Sequence, residues 1–200
     1  MKNTIIFDNK IDFKQGETLT FFLNENFDFR VENRILSAQT LNKIQVYLKN
    51  LKSKKIKEKI IGFDISEKNK VLFIVIKENL VSNNFEELGA NFYSFIKTNK
   101  IDKVNLYADT INSFKLYKKN TELILHFIHG FSLKSYSFNK YKTQNKNIFY
   151  FLLKIVSSEK TLLNNNYFRY KAIESGVFQA RDLVSEPPNI LYPKKYVEII

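Results

Sequence analysis

The sequence predicts an α/β layered domain built on a mixed sheet. Short apolar stretches with strand character are interleaved with longer stretches whose apolar residues recur every three to four positions. Residues 71–76, Val-Leu-Phe-Ile-Val-Ile, are apolar on both faces, which marks a central strand covered from both sides. The three prolines of the chain, Pro187, Pro188 and Pro193, fall within seven residues near the C-terminus, so no proline interrupts the preceding elements.

In chain order, residues 3–13 and 17–23 read as two strands, with Gly16 at the turn between them. Leu41, Ile44, Leu48 and Leu51 form one face of a helix that Ser37 is placed to cap. The lysine-rich residues 52–59 read as the solvated end of that helix and a loop. Strands follow at 59–65 and 71–77. The next helix carries Phe85, Leu88, Phe92 and Phe95 on one face, and Asn83 with Glu86 resembles a capping box at its start. Residues 103–108 form a strand. Asn120 is expected to cap a helix bearing Leu123, Phe127 and Phe131, and residues 148–156 form another strand. A long helix over 165–184 should bury Tyr170, Ile173, Val177, Ala180 and Val184. The prolines then stop it and force an extended connector over 186–192, before a new helical start at Pro193. A stiff connector followed by a short helix reads as the beginning of a further domain.

Composition limits the function classes. A hydrophobic fraction of 44% against 26% charged residues suits a folded soluble chain with a real core. The absence of cysteine removes disulfides, thiolate metal sites and a cysteine nucleophile, and fits a reducing compartment. No stretch approaches the apolar length of a membrane helix, and residues 1–8 lack the features of a signal peptide, so cytoplasm is expected. The net charge of +12 invites a nucleic-acid partner. Only Arg30, Arg34, Arg169 and Arg181 are arginine, however, and lysine together with abundant Asn, Ile and Phe is also what AT-rich coding imposes.

Few residues offer chemistry. The five glycines, Gly16, Gly62, Gly89, Gly130 and Gly176, are too dispersed for a phosphate-cradling loop. His126 and His129, three apart on a helix, have metal-ligand spacing but no further ligand beside them in sequence. Asp8 with Asp12, and Glu86 with Glu87, read as solvated pairs before they read as acid–base pairs. The run 134–142 interleaves lysines with Tyr136, Phe138 and Tyr141. It serves equally as a stacking platform for a nucleic-acid strand or as a loop anchored on the core by its rings.

Two segments carry a family resemblance. Residues 130–143, Gly-Phe-Ser-Leu-Lys-Ser-Tyr-Ser-Phe-Asn-Lys-Tyr-Lys-Thr, resemble a stretch "G-x-x-L-x-x-Y-x-F-x-x-Y-K-T" of leucyl aminopeptidases. Residues 176–193 resemble that family's interdomain signature, a helix ending "A-R-D-L-V-x-E-P-P-N" before a further proline. The family motif residues are Gly130, Tyr136, Phe138, Tyr141, Lys142, Arg181, Asp182, Pro187, Pro188, Asn189 and Pro193. Over residues 1–120 the likeness is only one of element order.

The resemblance implies a macro-domain-like, three-layer α/β/α sandwich over 1–164. It also implies a long interdomain helix over 165–186, then a proline connector and the first turns of a catalytic domain over 187–200. It further implies a cytosolic metalloexopeptidase acting on peptide N-termini through two divalent metals, zinc or manganese, held by a lysine and carboxylates in stretches "F-D-S-G-G" and "N-T-D-A-E-G-R". Neither stretch occurs in these residues; Gly62-Phe63-Asp64-Ile65-Ser66 is only a partial echo. These residues are therefore expected to hold no catalytic, cofactor or metal site and to act as a scaffold. Their partners would be further copies, as in the family's hexamer, or a catalytic domain, with weak salt-sensitive nucleic-acid binding as the alternative.

Overall fold

The computed structural model describes residues 3–10, 16–29, 35–54, 58–77, 81–114, 119–143 and 149–199. Six strands make one sheet: β1 (Thr4–Asp8), β2 (Thr18–Asn24), β3 (Ile60–Asp64), β4 (Lys70–Ile76), β5 (Lys103–Tyr107) and β6 (Leu152–Val156). The helices are α1 (Ala38–Ser53), α2 (Ser82–Thr98), α3 (Asn120–Ser135), α4 (Lys160–Ser185) and α5 (Pro193–Ile199). The strand order is β1-β6-β5-β2-β4-β3, parallel throughout except for β3, which pairs antiparallel with β4. Residues 11–13 and 148 of two expected strands, Arg30 and Arg34, and part of the lysine-rich loop lie outside the described residues.

Alternation along the strands sorts the side chains into two cores. Leu19, Phe21, Leu23, Val71 and Phe73 face α1, meeting Ile44, Leu48 and Leu51. Phe22, Leu72, Ile74, Leu106 and Ile155 face the other way, onto Phe85, Phe92, Phe127 and Phe131. The two faces of β4 enter different cores, which is why its sequence is apolar without alternation. The result is a three-layer α/β/α sandwich with a mixed sheet. Each fully buried Phe of the α2–α3 layer contributes roughly 1.5–3 kcal/mol through its removal from water.

Local chemistry fixes the element ends. Ser37 caps α1, its hydroxyl accepting from the Thr40 N–H at 3.3 Å. Gly16 sits at φ +86, a conformation that favours glycine. Two expected caps differ. At α2 the Asn84 side chain accepts from the Val81 N–H at 3.1 Å, so the reciprocal cap sits about two residues before the Asn83–Glu86 pair. Glu86 turns instead to His126. At α3 Asn120 is the first helical residue, and its amide donates to Asn112 at 2.8 Å.

Helices α2 and α3 cross with glycine on both sides. A Cβ at Gly89 would stand 1.9 Å from the Phe127 carbonyl oxygen, and one at Gly130 1.9 Å from that of Glu86. This close approach brings α3 into the core, where α2, the sheet and α4 enclose it.

α4 departs most from expectation. It begins at Lys160, with Leu163 buried in the core, and its azimuth is turned. Ile173 is 46% and Val184 87% exposed, and Ala180 also faces solvent. Tyr170 does face the body and Val177 is half-buried, as expected, but Leu163, Tyr167 and Glu174 take the places of the others. The connector also differs from an extended segment. Glu186 is extended, but the Pro187 carbonyl then accepts from Ile190 and Leu191, both at 2.9 Å, closing a turn before α5. Proline tolerates this because its fixed φ suits the first positions of a helical turn.

Candidate functional site

Two clusters of polar side chains lie along the seam between α3, the loop after it, and α4, one buried and one near the surface.

Glu174 is the hub of the buried cluster. It is 4% exposed, and three groups converge on its carboxylate: His129 Nδ1 at 3.0 Å, the Ser132 hydroxyl at 2.7 Å and the Tyr167 hydroxyl at 3.2 Å. Burial, with the Glu174 charge beside it, pushes the Tyr167 phenol upward, so this hydroxyl stays a donor. A carboxylate buried without partners would be costly; with three donors its oxygens are satisfied.

One turn earlier on α3, His126 Nδ1 meets Glu86 at 2.7 Å, with Glu122 at 3.7 Å and the Tyr170 hydroxyl at 3.4 Å on its Nε2 side. The two histidines thus serve different carboxylates, and the two carboxylates at His126 lie against opposite ring nitrogens, so they do not converge on one ion. Among the described residues there is no group of three or more His, Asp or Glu side chains arranged to hold a metal. The carboxylate-rich donor set of a two-metal peptidase does not fit these residues. Ser132 donates to the carboxylate rather than to a histidine, so it is not arranged as the nucleophile of a relay.

The second cluster joins the loop after α3 to the end of α4. The Tyr136 hydroxyl donates to Asp182 at 2.8 Å, and its ring lies 5.4 Å from Phe178 and 5.4 Å from the Arg181 guanidinium. Arg181 also donates to the Leu133 carbonyl at 2.8 Å, satisfying one of the last carbonyls of α3. Lys140 reaches Glu186 at 2.6 Å, and the Tyr141 hydroxyl donates to the other oxygen of the same carboxylate. The lysine and tyrosine hold the Glu186 carboxyl below its ordinary value, while Glu186 pushes Lys140 and Tyr141 upward. Burial and the Asp182 carboxylate raise the Tyr136 phenol. Beside this clasp a cavity of about 490 Å³ opens between Phe138, Leu183, Ile190 and Ile199.

The structure therefore brings Tyr136, Arg181 and Asp182 into contact, and packs Phe138 on Tyr141 at 5.8 Å. Gly130 lies elsewhere, at the α2 crossing. Lys142 is exposed, Pro187 to Asn189 form the turn after α4, and Pro193 opens α5. Glu174, Ser132 and Tyr167 had no sequence motif to point to them. Glu186 lay within the quoted signature, but nothing in its spacing showed that it would receive both Lys140 and Tyr141.

This mixed six-stranded sheet with its helices is similar to the N-terminal domain of a leucine aminopeptidase. A solved mutant of tomato leucine aminopeptidase superposes with a TM-score of 0.69 at 16% identity, over 98% of this chain and 41% of that one. The bottromycin maturation enzyme BotP, solved with manganese, superposes with a TM-score of 0.62 at 12% identity, covering 92% of this chain and 35% of that one. At such identities the likeness is one of fold.

Curated relatives carry the comparison further. A probable cytosol aminopeptidase of Phytoplasma australiense is 34% identical over 105 residues, covering 52% of this chain and 20% of that protein. One from Ehrlichia ruminantium (strain Welgevonden) is 29% identical over 127 residues, covering 62% and 24%. No family model matches the chain. The relatives are cytosol aminopeptidases, the region shared is N-terminal, and this chain spans about a fifth to a quarter of their length.

Proposed function

We propose that these residues are the non-catalytic N-terminal domain of a cytosolic leucyl aminopeptidase-type metalloexopeptidase, with a structural role. The carrying observation is the clasp. Residues from the two family-like segments, 130–143 and 176–193, meet side chain to side chain at the end of α4. That contact supports an exit from the domain at the end of α4. Exposed apolar residues of α4 and α5, Val184 and Val197 at 87% and 75%, then offer a surface for the peptidase part of such a protein. The two metals and the bond-breaking chemistry would belong to that part; these residues would bind none of it and would help hold a homo-oligomer together, a hexamer in the family.

The test is the reading frame beyond codon 200, where continuation through "F-D-S-G-G" and "N-T-D-A-E-G-R" is expected. The purified 200 residues should not hydrolyse a leucyl anilide with manganese or zinc added; turnover by them would overturn the reading. The net charge of +12 favours a second reading, a weak nucleic-acid-binding surface. Binding at low salt that collapses on salt addition would support it.

A further inference from the structure

The geometry points to the outer edge of β1 as a contact between two copies of this chain, paired antiparallel so that their sheets run on as one. β1 ends the sheet and pairs with β6 alone. The Thr4 N–H donates to the Phe151 carbonyl at 3.1 Å, and the Asp8 carbonyl accepts from Ser157 at 2.9 Å. Thr4, Ile6 and Asp8 therefore turn their backbone groups towards β6, and alternation sends the N–H and C=O of Ile5 and Phe7 outward. Among the described residues nothing meets them there.

The opposite edge is guarded. Gly62 faces out from β3, and its carbonyl accepts from the Tyr47 hydroxyl of α1 at 3.1 Å. Lys70 and Asp64, 3.4 Å apart, add charge at the end of that strand. Such devices keep sheet edges from pairing. β1 contains neither lysine nor proline, and its Asp8 carboxylate already accepts from the Asn9 N–H at 2.8 Å.

Symmetry argues for a second copy as the occupant. Thr-Ile-Ile-Phe-Asp is apolar at its centre and polar at both ends. A twofold axis at Ile6 sets Ile5 against the copy's Phe7, Ile6 against itself and Thr4 against Asp8. Each Ile5–Phe7 pair then exchanges both ladder bonds, and Ile6 meets its copy at the close, non-hydrogen-bonded position. Uncovered apolar side chains flank this line on both faces of the sheet. Ile6 belongs to neither core and is 36% exposed, because α1 packs over β2, β3 and β4 instead. On the other face Tyr167 meets Phe7 at 5.4 Å, and Phe168, roughly 100° further round α4 and away from α3, is 76% exposed. The contact would serve the homo-oligomer of the reading above; its purpose rests on that reading, its geometry does not.

The chain has no cysteine, so one introduced thiol reports its own surroundings. Ile6→Cys puts two thiols across the axis with Cα atoms about 4.5 Å apart, a separation that a disulfide spans. Mild oxidation at about 200 mM salt, where charge repulsion is screened, should cross-link it about tenfold faster or more than Val46→Cys, which is 55% exposed on α1. Equal rates overturn the proposal. Sedimentation separates this edge from the apolar surface of α4. Val184→Lys should remain dimeric, and adding Ile6→Lys, which sets like charges face to face, should make it monomeric. A monomer in Val184→Lys alone, or a dimer in the folded double variant, overturns the proposal; if the double variant loses its circular dichroism, the cross-linking rates decide. No peptidase part is needed, so a failed cross-link and a failed reading-frame continuation are separate results.

Discussion

At the scale of single residues, two positions carry sharp consequences. Gly130 and Gly89 face each other's helix so closely that any Cβ meets backbone, which cannot swing aside as a side-chain end would. Gly130→Ala should destabilise by about 2–3 kcal/mol, the cost of forcing packed helices apart, measured as a shift in urea midpoint. Glu186 gives a pH signature. Its carboxyl is held low by Lys140 and Tyr141, so its contribution is present above the ordinary glutamate value of 4.5 and is lost as pH falls through the lower, folded value. Lys140 is raised by Glu186, so the same contact is complete below 10.5 and is lost as pH rises through the raised value. The stability difference between wild type and Glu186→Gln should therefore be flat across neutral pH and vanish at both ends. A difference that persists at pH 2 would count against the ion pair as its source.

At the scale of elements, what could be read from sequence follows from where each signal resides. α1 was legible to its first residue, because Ser37 and the face of Ile44, Leu48 and Leu51 are local signals. Ser37→Ala should lower stability by about 1 kcal/mol, read from the same denaturation curve, since the Thr40 N–H then loses its acceptor. β4 was legible as interior because both of its faces are covered. The caps of α2 and α3 were not, because Glu86 and Asn120 found partners 40 and 8 residues away rather than within their own turn. The buried face of α4 is only partly legible for the same reason at larger scale: Tyr170 and Val177 face inward, Ile173, Ala180 and Val184 do not. Periodicity records which stripe is apolar; it does not record that α3 offers two buried polar groups to a carboxylate. The clasp was half legible: Tyr136, Arg181 and Asp182 came through resemblance, whereas their contacts depend on α3 and α4 lying side by side.

At the scale of the whole molecule, two properties oppose each other. Leu162, Phe168, Ile173, Val184 and Val197 leave apolar surface uncovered along α4 and α5, which favours association. A charge of +12 makes every pair of copies repel, which opposes it. Salt separates the two, because it screens charge within a Debye length of about 10 Å at 0.1 M but does not weaken apolar contact. Raising salt from 50 to 200 mM should therefore increase self-association of the 200 residues, followed by light scattering, and Val184→Lys should suppress that increase. Nucleic-acid binding must move the opposite way. If the charge forms a phosphate-binding surface of several lysines, affinity for duplex DNA should fall on the order of 10³-fold over the same range, whatever the DNA sequence. Lysines placed by coding bias alone are scattered, neutralise fewer phosphates at once, and would give weaker binding with a shallower salt dependence. One salt series on one sample, read by scattering and by DNA binding, thus separates an uncovered domain surface from a polyanion site by the sign of the response.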